Sequence, residues 1–395
     1  MLNRMPTPPP LLGLAFRPFF LLGSLFSVAA LLLWLHFWIA PSHWHSYGNP
    51  LWWHGHEMVF GFAVAIIAGF LLTAVQNWTG VPSVKGWPLG LLVLLWLIPR
   101  ITLPWVTAPL SYLVAFLDLL LLPLLALLML LPVVHRRQWR NLGFAPVLLL
   151  FGGLNGLSHY GIINQQPALS MNAVHAGIFL ITLLISIIGG RVIPLFTANA
   201  TSFQQPSKLP WLEWPAHLGL LALGLLALWG LRSGSGDWSA VLCLLTAGVH
   251  WLRWRRWGLR YCWRNPLLWS LQLGYLFLPL GLVLLGMYGL GLIHNFSAGL
   301  HALLVGAIGL MILAMITRVS LGHTGRSLQP PRLMNYCFAL MVLAALIRAG
   351  LPLLTPALIM EAINLAGIGW VLAYSAFVVC YWPILTSPRI DGKPG

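Results

Sequence analysis

The chain has 395 residues, of which 59% are hydrophobic, 12% aromatic and only 7% charged, and its mean hydropathy is +0.87. A soluble domain carries about a quarter charged residues, so an ordinary soluble protein is excluded, and the apolar and aromatic content excludes a disordered one. Lys and Arg number 21 against 6 Asp and Glu, a net charge of +15, but they lie in short runs between apolar stretches, as membrane orientation requires, and not in the solvated patch of a nucleic-acid binder.

At about 20 apolar residues per spanning helix, runs bounded by Pro, Gly and charge predict an all-α membrane protein of twelve helices. The first covers 17–40 and opens on Phe16-Arg-Pro-Phe-Phe-Leu21. The Pro-rich Met1–Pro10 before it, and a run too long for the apolar part of a leader, give no sign of a cleavable signal peptide. His43 and His45 follow in a Trp- and His-rich segment of interfacial type. The second helix, 56–78, opens on His56-Glu57-Met58 and leads into Ala68-Gly-Phe-Leu-Leu-Thr-Ala-Val-Gln-Asn-Trp-Thr-Gly80. The third and fourth, 87–105 and 109–131, contain Arg100 and Asp118, the latter the only acid plainly within a span. The fifth is 142–162; the sixth, 171–194, has His175 near its start and Gly189-Gly-Arg-Val-Ile-Pro194 at its end. Two short helices, 215–231 and 238–252, lead into a run from His250 to Arg264 whose Trp and Arg suit lipid headgroups. The last four are 266–289, 294–317 with His294 and His301, 334–354 with Arg348, and 358–382. The four cysteines, Cys243, Cys262, Cys337 and Cys380, form no CxxC pair and are read as packing.

With the N-terminus in the cytoplasm, 18 of the 21 Lys and Arg fall inside and only Arg100, Arg232 and Arg348 outside. One missed span would invert every later loop, so both termini are expected to be cytoplasmic. An internal repeat then emerges. His56, His175 and His301 lie 119 and 126 residues apart, each 12 to 14 residues before a similar tail on the second, sixth and tenth helices. A single membrane domain of three four-helix units, roughly 17–131, 142–252 and 266–382, with pseudo-threefold symmetry is expected.

Nine of the thirteen histidines fall toward the outer half and four, His135, His217, His250 and His323, toward the inner side. An ionisable side chain within a span is costly and faces the bundle interior, which makes it a functional candidate. The repeat brings His56, His175 and His301 to one level, and neutral imidazole is the common ligand of haem iron and copper. His54, two residues from His56, points elsewhere on a regular helix and suits a second metal; imidazole from the segment running from Trp44 to Glu57 suits copper. His294 shares a face with His301 and is a further candidate. Arg100 and Arg348, near outer helix ends, suit the carboxylate propionates of a haem, and Glu57 is placed to accept a ring N–H from a ligand histidine. The acids are too few for a redox-driven proton pump.

Five of these segments resemble, in order, the signatures of the NnrS family: Phe16 to Leu21, Trp53-His-Gly-His-Glu-Met-Val-Phe-Gly-Phe62, Ala68 to Gly80, Gly189 to Pro194 with Phe196 and Thr197, and Ile316-Thr-Arg-Val-Ser-Leu-Gly-His-Thr-Gly-Arg326. The resemblance runs from the first helix through the tenth, and the last two fit in length. It implies a twelve-span bacterial inner-membrane protein carrying haem b and copper, with a role in the nitric oxide response and nitrosative-stress defence. Its motifs carry over onto His54, His56, Arg100, Arg191, Arg318, His323, Gly325 and Arg326. The chain departs at Gln272, where the family usually has a histidine in Leu-His-x-Gly-Tyr, which puts a ligand there in doubt. The helical plan also resembles the catalytic subunit of haem–copper oxidases, a likeness of fold that proves no activity.

The expected function is therefore to bind, sense or turn over nitric oxide or a related small diatomic near the outer side, within the lipid bilayer and with an unspecified electron donor. Two other functions are compatible with these residues: a metal or haem transporter, and a non-catalytic accessory of nitric-oxide or denitrification enzymes. The crowding of histidines on one side weighs against a transit path.

Overall fold

A computed structural model describes residues 9–40, 47–231 and 236–392. Among these the chain is helical and without strands, with twelve principal helices: α1 (Phe16–Ile39), α2 (Pro50–Thr79), α3 (Trp87–Thr102), α4 (Leu110–His135), α5 (Phe144–Ile163), α6 (Pro167–Ala200), α7 (Pro210–Trp229), α8 (Gly236–Trp254), α9 (Pro266–Gly289), α10 (Phe296–His323), α11 (Arg332–Leu354) and α12 (Ile359–Thr386). Ten of them are long and apolar enough to cross a membrane; α3, with 16 residues, is shorter.

Polar caps set where the site-bearing helices begin. The Asn49 side chain accepts from Trp52 N with Pro50 at the first helical position, and Asn295 accepts from Ala298 N at the start of α10. Each cap satisfies an N–H that lipid would leave unpaired. The Asn49 cap starts α2 six residues earlier than the apolar pattern predicts, so His54 and His56 both lie inside a helix. Pro194, the predicted end of the sixth helix, sits within α6, which continues to Ala200.

Burial identifies the centre of the bundle. The most apolar stretch of α10 is 83% buried and that of α2 78%, against 39% for α7 and α12. α6 packs on α2, α5, α7, α9 and α10, while α1 and α11 flank α12. Hydropathy alone cannot make this distinction, because lipid-facing and core-facing residues are equally apolar. Exposed Trp87, Trp139, Trp211 and Trp263 at one end, and Trp105, Trp229 and Trp238 at the other, mark the two interfacial belts.

The two central helices share an irregularity. A π-helical segment, Glu57–Ala63, follows His56 in α2, and another, Ala302–Gly309, follows His301 in α10. Such segments concentrate at functional sites because the wider turn re-aims the side chains on either side. α6 is a regular helix throughout.

Candidate metal centre

One face of α2 meets a buried ionic network. His56 and Glu57 face Arg100 of α3, Asp118 of α4 and Asn155 and His159 of α5, all of them buried. Buried charges need partners of opposite sign; here Arg100 lies against both Glu57 and Asp118, with its Nε and Nη1 and Glu57 Oε2 making no hydrogen bond. Arg100 Nη2 donates to Asp118 Oδ1, and its Nε lies 3.1 Å from Glu57 Oε2. Asn155 Nδ2 donates to Asp118 Oδ2 at 2.9 Å, which turns its Oδ1 toward His56 Nε2 at 2.8 Å. His56 Nδ1–H donates to Glu57 Oε1 at 2.9 Å, and Trp96 Nε1 donates to the Gly61 carbonyl. Gly61 has to be small: a Cβ there would lie 2.8 Å from Glu57 Oε2 and 2.9 Å from Arg100 Nη1.

The donor set fits a metal cation. Asp118 Oδ2 lies 3.4 Å from His56 Nε2 and 3.1 Å from His159 Nε2, and the three ligand atoms all fall within 4.8 Å of one another. Ligands about 2.0–2.1 Å from a tetrahedral cation sit about 3.3–3.4 Å apart, which matches the two spacings to Asp118 Oδ2. Both ring nitrogens of His56 face acceptors, a pattern met by the imidazolium or by a ring protonated at Nδ1 with a cation at Nε2. The Glu57–His56 bond is the carboxylate–histidine arrangement that orients a metal ligand. The Tyr47 hydroxyl, 3.0 Å from His159 Nδ1, can hold the second ring in the same way. Two carboxylates against one guanidinium leave a negative charge for the cation to balance.

The other face of α2 lines a cavity between α1, α2, α10, α11 and α12. A cavity of about 70 Å³, open on one side, is bounded by His54, Met58, His301, Arg348, Trp34 and Trp370, among others. His54 stacks on Trp34 at 4.3 Å between ring centroids, and its buried Nδ1 has no hydrogen-bond partner. His301 Nδ1–H donates to the Ser297 carbonyl at 2.9 Å, which leaves Nε2 as its ligand atom. Arg348 Nη2 donates to Ser297 Oγ at 2.9 Å, and Nη1 is buried without a partner. Two imidazoles from different helices and an unsatisfied guanidinium N–H are donors of the kind that would hold the iron and a propionate of the haem implied by the family resemblance.

The remaining expected residues are dispersed. Arg100 faces the carboxylates of the network, not the cavity. His175 on α6 packs edge-on against Phe296, 5.5 Å between centroids, and lines neither site. His294 is exposed at a depression of the surface lined also by Tyr288, Ser297 and Pro356. His43 and His45 lie outside the described residues. At the far end, Gln272 Nε2 donates to the Trp257 carbonyl at 2.8 Å and so ties a loop. Two further motifs meet there: Phe16 packs on His323, and Arg17 donates to the Leu385 and Ser387 carbonyls at the end of α12. Sequence reasoning did not single out Asn155 and His159, although a polar pair four residues apart on one face of an apolar span was the available signal.

No curated protein matches the chain. Residues 10–389 match the model of the family described as NnrS protein, and with nearly its whole length covered the chain belongs to that family of haem- and copper-containing proteins of the bacterial inner membrane.

Proposed function

We propose that the cavity between α2 and α10 holds haem b, that His56, Asp118 and His159 hold copper, and that the two centres together serve the binding, sensing or turnover of nitric oxide or a related small diatomic. The observation that carries this reading is the cavity's donor set, His54 and His301 from two central helices with the unsatisfied Nη1 of Arg348. His54 and His301 would be the axial ligands and Arg348 the propionate partner. A haem bound there supplies a one-electron centre that can take a diatomic at an open position. Ser297 fixes the ring of His301, whereas His54 is held by stacking alone and keeps an unpartnered Nδ1. His54 is therefore the more loosely held of the two rings.

On the opposite face, Glu57 holds the proton on His56 Nδ1 and leaves Nε2 toward Asn155 Oδ1 at 2.8 Å and Asp118 Oδ2 at 3.4 Å. Arg100 offsets the two carboxylates, so a cation binds without gathering uncompensated charge. The charge asymmetry of the loops supports cytoplasmic termini, and with them both sites toward the periplasmic half. The matched π segments support a repeat relation between the first and third four-helix units, within a three-unit plan whose second unit offers His175 on α6.

Optical and EPR spectra of the detergent-purified protein test the assignment. Expected are sharp b-type bands on reduction that change with nitric oxide, and loss of the low-spin signal in both His54→Ala and His301→Ala. An unchanged haem spectrum in both variants refutes the ligands. A reduced haem indifferent to nitric oxide refutes the gas chemistry.

A further inference from the structure

A second cavity lies one helical turn further along the same two helices. The haem cavity is lined by Phe62 of α2 and Ile308 of α10; the second begins at Ile66 and Ile312. Four residues are about 6 Å of helix rise, so the two spaces follow one another along α2 and α10, and Phe62, packed edge-on against Trp370 and Tyr374, belongs to the first. The second is a cavity of about 80 Å³, open on one side, between α2, α6 and α10 with Phe20 of α1. None of its fifteen lining residues carries a polar side chain.

Protein interiors are close-packed, and voids larger than a water molecule are few. This one sits among the most buried helices of the bundle, and its walls resist collapse. Seven of the fifteen lining residues are Ile, whose branched Cβ holds χ1 in one rotamer on a helix. Gly189 adds no side chain, and Met311 and Met315 are the adaptable part of the wall. A water needs two to four polar partners, so the space stays dry. A quinone or lipid headgroup would find no donor or acceptor there. What such a space does hold is a small apolar molecule, as dry cavities lined by Leu, Ile and Phe take up xenon.

The geometry points to a storage and delivery site for a small apolar diatomic gas, which reaches this cavity from the hydrocarbon of the bilayer and passes along α2 and α10 to the first cavity. The gas as the occupant rests on the function proposed above; the cavity itself does not. Small apolar gases partition from water into hydrocarbon, so a route through the bundle draws on the phase where they concentrate. No bond is made or broken at this site.

Xenon is the probe, because its binding needs no haem. Crystals of the full-length protein pressurised with xenon should show the atom between α2, α6 and α10, and Met315→Phe or Ile188→Phe should displace it while Met315→Leu retains it. Xenon found only elsewhere, or an ordered acyl chain or file of waters in the space, overturns the proposal. In solution, the filling variants should slow nitric oxide rebinding after photolysis several-fold with the haem spectrum unchanged; unaltered rebinding overturns the delivery role. Xenon in place beside a haem indifferent to nitric oxide would instead refute the gas chemistry and keep the cavity.

Discussion

Replacing Arg100 by Leu removes the cation from a cluster that has no access to solvent. Its side chain is 0% exposed, as is that of Glu57, and that of Asp118 is 4% exposed. Arg100 makes one charge-assisted bond to Asp118 and one ion-pair contact to Glu57. At about 1.5–3 kcal/mol for each such interaction, their loss amounts to about 3–6 kcal/mol, and removal of one partner from a buried pair independently costs about 3–5 kcal/mol. The double variant Arg100→Leu/Asp118→Asn keeps a single carboxylate against His56, so it should recover at least about 2 kcal/mol of that loss as coupling between the two sites. Unfolding in mixed micelles titrated with a denaturing detergent, followed by tryptophan fluorescence, measures both variants on one scale. A single-variant loss below about 1 kcal/mol, the range of a solvent-screened pair, would refute the charge balance assigned to Arg100, and so would a double variant less stable than the single.

The other predictions address each site separately. Glu57→Gln weakens the partner of His56 Nδ1, so copper affinity should fall about 10–100-fold with the haem content unchanged, as read by elemental analysis against a chelator series. Arg348→Leu removes the guanidinium at the cavity, and haem should be lost on purification while copper is retained; a full haem complement would rule out the propionate contact. Gly190→Ala places a methyl against the Arg253 guanidinium, which Glu213, Ser186 and Tyr275 otherwise hold. That variant should lose about 1–3 kcal/mol, as overpacking of a core does, with both centres spectroscopically intact.

Much of the architecture was legible because lipid forces every backbone group into a helix, so apolar run lengths translate into spans. All twelve predicted helices have a counterpart in the structure. Their ends were less legible, as the start of α2 at Pro50 and the passage of α6 through Pro194 illustrate. For the site, type was legible and partnership was not. Asp118 stood out as the one acid within a span, and it anchors the network. His54 and His56 were both candidates, but two neighbours on a helix face different ways, and which one meets α10 depends on the rotation of α2 within the bundle. The structure lines the cavity between α2 and α10 with His54 and sets His56 against Asp118. Arg100 near an outer helix end looked equivalent to Arg348, yet α3 and α11 border different neighbours, so one guanidinium meets carboxylates and the other the cavity.

Because α2 presents His54 to one centre and His56 to the other, its residue count is shared between them. A single deletion at the start of Glu57–Ala63 that the wide turn did not absorb would swing everything beyond it by about 100°. Met58 and Phe62 would leave the cavity wall, and Gly61 would be replaced beside Glu57 and Arg100 by a residue with a side chain. Point substitutions can alter either centre alone, but an insertion or deletion here alters both, so the length of this segment is fixed twice over.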